Sequence, residues 1–427
     1  MQPPRQRSWL FVWLLGFVVV LLLLFAISAR SATPEEQRDL VLVGATVYAT
    51  PQARPLKNAA VLMHDGKIVA VKERDDVEVP KTAYTIDCSG RFIVAGFWNS
   101  HVHFIEDAWD NAAEAPAATL EKHMQTMLTK WGFTTVFDIG SFPQNTLALR
   151  KRVESGEVPG PKIYTTAGAI YPENGIPVYI PKELASHLKA FEVATPADAT
   201  RLARQSLEMG GDGVKVFAGA IMGHGKVVPM SADVIKAAAD VAHAAGKPVF
   251  AHPSNHEGTD NALAGGVDVL AHTIPMEYNW TPEELKRIKA QHVALTPTLS
   301  LFPDEERKFG GDEESKARVL KRSVSQLHDY FSQGGTVLFG TDVGYTQLYD
   351  TASEYEYMGR AGMNWRDVLA SLTTAPAKFF KAAAHTGEVV PGAAADLVVL
   401  DADPTVDLRN FAKVGFTVRA GKVIYQK

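Results

Sequence analysis

Eight short apolar runs recur between residues 92 and 340, and stretches with helical spacing lie between several of them. The runs fall at 92–98, 134–139, 162–167, 213–218, 248–251, 267–271, 293–296 and 336–340. Few folds accommodate this. A strand that is apolar at every position is buried on both faces, the condition of a parallel strand covered by helices. The clearest helical spacings are SADVIKAAADVAHAAG at 231–246 and TPEELKRIKAQH at 281–292. Eight strand–helix units in succession favour a closed (β/α)8 barrel of the TIM type over an open sheet. In that architecture the chemistry lies at the C-terminal ends of the strands.

The two ends of the chain read differently. LVLVGATVYA at 40–49 and AAVLMHDGKIVAVK at 59–72 are rich in β-formers, and Asp65-Gly66 marks a hairpin turn. DLVVLDADP at 396–404 and FTVRAGKVIYQK at 416–427, with a turn at Gly421, repeat the style. The expectation is an α/β chain: a barrel at 96–384, with the terminal segments 36–95 and 385–427 forming either one shared sheet or a small composite β-sandwich.

The first thirty residues stand apart. Arg5 and Arg7 precede nineteen uncharged, apolar residues at 9–27. That stretch is longer than the usual signal core of about 7–15 residues and just long enough to span a bilayer as a helix. Residues 1–30 therefore read as a signal peptide or an N-terminal membrane anchor, with only weak cleavage sites after Ala29 and Ser31. Either reading exports the remainder, periplasmic or extracellular, or leaves it anchored with its catalytic part outside the cytoplasm. Membrane contact then comes only through 9–27, if uncleaved. The formal charge of −5, without a Lys/Arg run, gives no footprint for nucleic acid. Cys88 is the single cysteine, which excludes an internal disulfide and a Cys-cluster metal site. Any metal is left to His, carboxylate or modified Lys.

Polar residues at the run ends carry the chemistry. His101 and His103 follow the first run in NSHVHF, and residues i and i+2 of an extended chain share a face. Lys215 lies between two valines in the fourth run, where an unpaired ammonium is costly. Either it is ion-paired at the barrel mouth, or it is carboxylated by CO2 and its carbamate bridges two cations. His252 ends the fifth run (VFAHPS), His272 the sixth (VLAHTI) and Asp342 the eighth (LFGTDVG), where Gly340 permits close backbone approach. Singly, each has a plain reading: polar loop residues, satisfied core histidines, an N-capping aspartate. Together on one rim they form a cluster for one or two divalent cations. Such N/O donors fit Zn(II) and also admit Mn, Fe, Co or Ni.

With DCSGRFIVAGFWNSHVHF at 87–104, GVKVFAG at 213–219, VFAH at 249–252, VLAHT at 269–273, FGTD at 339–342 and PGAAADLVVLDADP at 391–404, the chain resembles the amidohydrolase superfamily. The likeness is to its imidazolonepropionase-like and prolidase-like branch. The resemblance implies one ion held by His101, His103 and Asp342, a second by His252 and His272, and a carboxylated Lys215 bridging both. It implies two Zn(II) per chain. A hydroxide between them would attack a carbonyl, with Asp342 as general base and then acid toward the leaving nitrogen. The implied activity is hydrolysis of a carbon–nitrogen bond in a small amide or dipeptide-like substrate. Two positions depart from the family pattern: Ala95-Gly96 replaces its Pro-Gly, and Asn99 replaces an acid. Imidazolonepropionases proper use one metal and lack the lysine, so Lys215 argues against that activity. Two alternatives stand beside this reading. One is a mononuclear imidazolonepropionase-like cyclic-amide hydrolase or deaminase with a structural Lys215. The other is a catalytically inactive, membrane-tethered binding protein, against which the intact ligand set argues.

Long loops at 167–183 and 219–230 follow the third and fourth runs and should overhang the metals. Tyr171 and His224 are their candidates for touching a substrate carbonyl or carboxylate. His123, His256 and Cys88 are weaker, the cysteine reading as structural.

Overall fold

The computed structural model describes residues 39–427 apart from 181, 224 and 278. The leader at 1–30 and His224 lie outside the described residues. Among the described residues no helix is long and apolar enough to cross a membrane.

Five strands open the chain: β1 (Leu40–Val47), β2 (Leu56–His64), β3 (Lys67–Glu73), β4 (Tyr84–Asp87) and β5 (Phe92–Ala95). The Asp65-Gly66 turn joins β2 to β3 with both residues at positive φ, 50° and 73°, as a primed hairpin turn requires. The run expected at 92–98 is two strands rather than one. It breaks at Gly96, where a Cβ would lie 2.2 Å from Thr134 Oγ1, and the chain crosses there into β6 (Phe97–Val102).

Then come β7 (Phe133–Asp138), β8 (Lys162–Thr165), the short β9 (Tyr171–Pro172) and β10 (Glu192–Val193), and β11 (Val214–Phe217). A hairpin, β12 (Gly219–Gly223) and β13 (Lys226–Pro229), precedes β14 (Val249–His252), β15 (Val269–Ala271) and β16 (Ala294–Thr296). Every residue of β6, β7, β11, β14, β15 and β16 is buried, as continuous apolar runs demand. The helices between them include α1 (Ala117–Met127), α2 (Pro143–Glu154), α3 (Lys182–Leu188), α4 (Pro196–Glu208) and α5 (Ala232–Ala244). After these come α6 (His256–Gly265), α7 (Pro282–Ala290), α8 (Leu301–Lys308), α9 (Glu313–Ser332) and α10 (Ala352–Arg360). In α5 the residues Val234, Ile235, Ala238, Ala239 and Ala242 form the buried stripe. Pro282 and a Thr281–Glu284 capping box start α7.

The parallel ladders form two arcs, β6–β7–β8 and β11–β14–β15–β16. Single bridges join them: Ile170 to Val216 on one side, Leu295 to Val337 and Val102 to Val343 on the other. The run expected as an eighth strand, 336–340, is therefore not a regular strand. It is still held on both flanks, by Leu338 N–H donating to Leu295 O at 2.9 Å and Ser100 N–H donating to Phe339 O at 2.7 Å. Side chains sort by parity. Val249, Ala251, Leu270 and Leu295 join the large cluster shared with the helices. Phe137, Phe250, Val269, Ala271, Ala294 and Leu338 pack across the sheets with one another.

The last three strands, β17 (Leu397–Leu400), β18 (Val414–Arg419) and β19 (Lys422–Gln426), return to the first five. All eight form one hydrogen-bonded sheet, in the order β19-β18-β17-β5-β1-β2-β3, with β4 beside β1. The two terminal segments thus share one sheet that is continuous by hydrogen bonds. β1 serves both parts, pairing β4 along 40–43 and β5 at 46–47, with bulges in its ladder to β2 between. The seam is β5 against β17, Val94 opposite Val398. Ile93, Ala95, Leu397 and Val399 face the terminal sheet's own core, while Val94 and Val398 face the barrel-side cluster. Cys88 is fully buried in the former, where burial pushes its thiol up to about 11.

Candidate active site

His101, His103, Lys215, His252, His272 and Asp342 all line one pocket at the C-terminal side of the arcs. Parity explains most of this. Lys215 has the opposite parity to Val214 and Val216, and His252 the same parity as inward-facing Phe250. Register shifts in the β6–β7 ladder between Asn99 and Val102 re-aim the histidine pair. His272 and Asp342 violate strand geometry instead, at φ of +106° and +59°. Ala271 and His272 can both turn inward only because the backbone leaves the β region between them. Non-glycine residues persist there only when their surroundings over-determine them, a condition common at functional sites.

Close packing holds the ring of side chains in place. A Cβ on Gly340 would meet His101 Cβ at 2.8 Å, and one on Gly344 would lie 1.8 Å from His103 O. Asn99, standing where the family pattern has an acid, ties the first strand to the last segment. Its Nδ2 donates to Thr341 Oγ1 at 2.7 Å, and its Oδ1 accepts from Thr341 N–H at 3.2 Å.

Asp342 is the hub. Its Oδ1 lies 3.3 Å from His101 Nε2 and 2.9 Å from His103 Nε2, and its Oδ2 lies 3.8 Å from His272 Nε2. His101, His272 and Asp342 present ligand atoms within 4.8 Å of one another. Burial would raise the Asp342 carboxyl, but the His101 and His103 imidazoles hold it well below the usual carboxylate range. Burial lowers His101 to about 4. It drives His252 and His272 well below the ordinary value, reinforced by Lys215 at His252 and by the neighbouring histidines at His272. Lys215 is lowered by burial to about 7, against the opposing pull of Asp342 and Asp138.

The donor chemistry fits divalent cations. Neutral imidazoles and an ionised carboxylate are the ligand forms such ions require. His101 Nδ1 and His252 Nε2 are buried without a hydrogen-bond partner among the described residues, and His101 Nε2 faces only Asp342 Oδ1. Desolvated nitrogens of this kind are costly unless something accepts their lone pairs. His272 Nδ1 lies 2.7 Å from Thr298 Oγ1; donation of an Nδ1–H to that hydroxyl leaves the Nε2 lone pair facing the cleft.

Asp138, at the end of β7, was missed by the sequence reading although the strand-end rule pointed to it. It is fully buried and accepts from Thr146 Oγ1 at 3.0 Å, Thr165 Oγ1 at 2.7 Å and the Ser141 hydroxyl. Its Oδ1 lies 3.9 Å from His103 Nδ1. Glu305 and Tyr345, also unanticipated, line the same pocket. Tyr171 is buried in its wall, stacked on Phe217 at 4.5 Å, and Phe217 stacks on His252 at 4.8 Å. His123 binds Glu106 at 2.5 Å, and His256 binds Glu284 at 2.8 Å; neither lines the pocket. Counting the space open to solvent at its mouth, the cleft spans about 1090 Å³.

A buried His/Asp cluster at the strand ends of parallel α/β arcs defines a metal-dependent hydrolase class, and residues 92–424 match the family model described as Amidohydrolase family. The chain belongs to that family and is a hydrolase acting on carbon–nitrogen bonds. It is 23% identical to an ochratoxinase of Aspergillus niger over 413 residues, covering 88% of this chain and 84% of that protein. Among solved structures, a protein of Bifidobacterium longum assigned as a prolidase superposes with a TM-score of 0.75 at 26% identity, covering 91% of this chain and 95% of the other. A prolidase complexed with N-methylphosphonate-L-proline gives 0.74 at 24%, covering 91% and 100%. The shared fold is TIM-barrel-like.

Proposed function

We propose that this chain hydrolyses an amide or peptide-like bond of a small molecule with two divalent cations, most simply Zn(II). In this reading the two arcs and the 336–340 segment act as one closed (β/α)8 barrel, taken as 96–384. Residues 36–95 and 385–427 form the composite unit beside it. His101, His103 and Asp342 would hold one cation and His252 and His272 a second, and a carboxylated Lys215 would complete the donor set. Bound there, divalent ions supply carbonyl polarisation and a lowered water pKa.

The chain's own groups do the rest. Asp342, held ionised, takes a proton and returns it to the leaving nitrogen, and the apolar wall excludes bulk water. Lys215 supports the carbamate, since only a neutral amine adds CO2 and burial lowers its ammonium toward neutrality. The observation that carries the proposal is the convergence of six donors from five segments, with two buried imidazole nitrogens, His101 Nδ1 and His252 Nε2, left without a partner among the described residues. The similarity to ochratoxinase and to prolidases supports small-molecule amides, with the acyl group on an amine or imino nitrogen, as the first substrates to test. We further propose that residues 1–30 export the catalytic part, cleaved or as an anchor.

The test is metal content per chain, on protein purified without chelator and with bicarbonate, alongside Lys215→Ala. About two ions in the native chain, and about one with lost activity in the variant, are expected. One ion in both with an unchanged rate would overturn the bridged site in favour of the mononuclear reading. No ion in either would leave the binding-protein reading.

A further inference from the structure

Beyond the proposed ligands, the pocket is walled by apolar side chains such as Ile105, Phe142, Ile180, Leu188, Phe191 and Phe302. Of the eight exposed large hydrophobics among the described residues, Val178, Met276, Leu348 and Phe309 stand within four chain positions of the pocket-lining Tyr179, Pro275, Tyr345 and Glu305.

Polar groups away from the ligand cluster are few, and among those on the described lining residues the one that carries a charge is Glu305. Glu305 on α8 turns its carboxylate to the pocket, and Tyr345 fixes it by donating its hydroxyl to Oε1 at 3.0 Å. Tyr179 packs edge-on against Tyr345 at 5.3 Å. The two cations of the same helix are already engaged. Lys308 lies 3.0 Å from Asp304 Oδ2 and stacks over the Tyr345 ring, and Arg307 pairs with Asp304 Oδ1. Among the described residues lining the pocket there is no arginine, and the one lysine is Lys215.

We infer that the substrate's non-reacting part is apolar and bears a hydrogen-bond donor or a positive charge facing Glu305, not a carboxylate. This rests on the hydrolase reading and narrows it: free dipeptides and N-acyl amino acids should be poor substrates, and neutral or cationic amides good ones. A fixed carboxylate repels a like charge and leaves it without a partner in an apolar wall.

The test uses three ligands sharing one scissile amide: naphthoyl-proline, naphthoyl-prolinamide, and the naphthoyl amide of aminomethylpyrrolidine. They place a carboxylate, a carboxamide and an ammonium at the same position. Assays run at about pH 8, where a carboxyl raised by burial to about 7 is ionised. The metal-loaded enzyme should turn over the acid at least about tenfold more slowly than the amide, with the ammonium equal to or above the amide. Glu305→Gln should bring the three within about threefold of one another. A preference for the acid in the wild type, or an unchanged ranking in the variant, overturns the inference. The wild-type ranking stands without the variant if Glu305→Gln does not fold. Calorimetric binding is measured in parallel. Binding in the expected order without turnover counts against the hydrolase reading alone, and binding of none of the three overturns the inference.

Discussion

Asp138 shows how a single buried carboxylate can set the geometry of a neighbour. Its oxygens accept from three hydroxyls of Ser141, Thr146 and Thr165 and from Ser141 N–H, which satisfies a fully buried charge. Its remaining influence reaches the His103 ring at 3.9 Å. Groups behind a metal-binding histidine orient the ring and raise its basicity, and their loss commonly costs about 10–100-fold. Asp138→Asn should therefore lower kcat by about that factor and move KM by less than about threefold. It should also weaken metal retention on dialysis. An unchanged kcat in a well-folded variant would reduce Asp138 to a packing role.

Among the elements, α10 is fastened to the chain after β16 by Glu354. This fully buried carboxylate accepts from Leu299 N–H, Ser300 N–H and Ser300 Oγ–H, each at 2.8 Å. Burial raises its carboxyl from 4.5 to about 7, against the lowering effect of those donors. The native state then holds the proton more tightly than the unfolded chain. Its stabilising contribution is complete below pH 4.5 and is lost as pH rises through about 7, at most about 3 kcal/mol. Glu354→Gln cannot ionise. Although its amide NH2 opposes the Ser300 donors and costs about 1–3 kcal/mol at low pH, its stability relative to wild type should recover between pH 4.5 and 8. Urea unfolding of both chains across that range measures the difference, and parallel stability profiles would show that Glu354 stays ionised throughout.

At the scale of the whole molecule, the ends of the chain and the middle depend on each other. Val94 and Val398 face the barrel-side cluster, while their neighbours Ile93 and Val399 face the terminal sheet's own core. The pocket has the same long-range character, because its six proposed ligands come from segments between 101 and 342. Ions that bind only the folded arrangement stabilise it by mass action, about 4 kcal/mol at a thousandfold excess over Kd. Chelation should lower the calorimetric Tm by several degrees, on the order of 5 °C. Zn(II) should restore it. An unchanged Tm after verified metal loss would mean that the ions do not bind the folded chain in preference to the unfolded one.

The sequence alone determined what periodicity can encode. Most of the uninterrupted apolar runs specify buried parallel strands, though not the one at 336–340, and the Asp65-Gly66 pair specifies a hairpin through its positive φ. The strand-end rule singled out His101, His103, Lys215, His252, His272 and Asp342 before any coordinates. It passed over Asp138, because a carboxylate that closes an otherwise ordinary strand gives no separate signal. Only the tertiary structure decided the break at Gly96, because what forbids a side chain there is Thr134, far along the chain. It alone joined eight terminal strands into one sheet through the two-sided pairing of β1. It alone brought Glu305 and Tyr345 to the pocket wall, since an acid on an amphipathic helix looks solvated until the fold covers it. Local patterns fix which way a residue faces along its own element; what it then meets depends on packing between elements that no local pattern records.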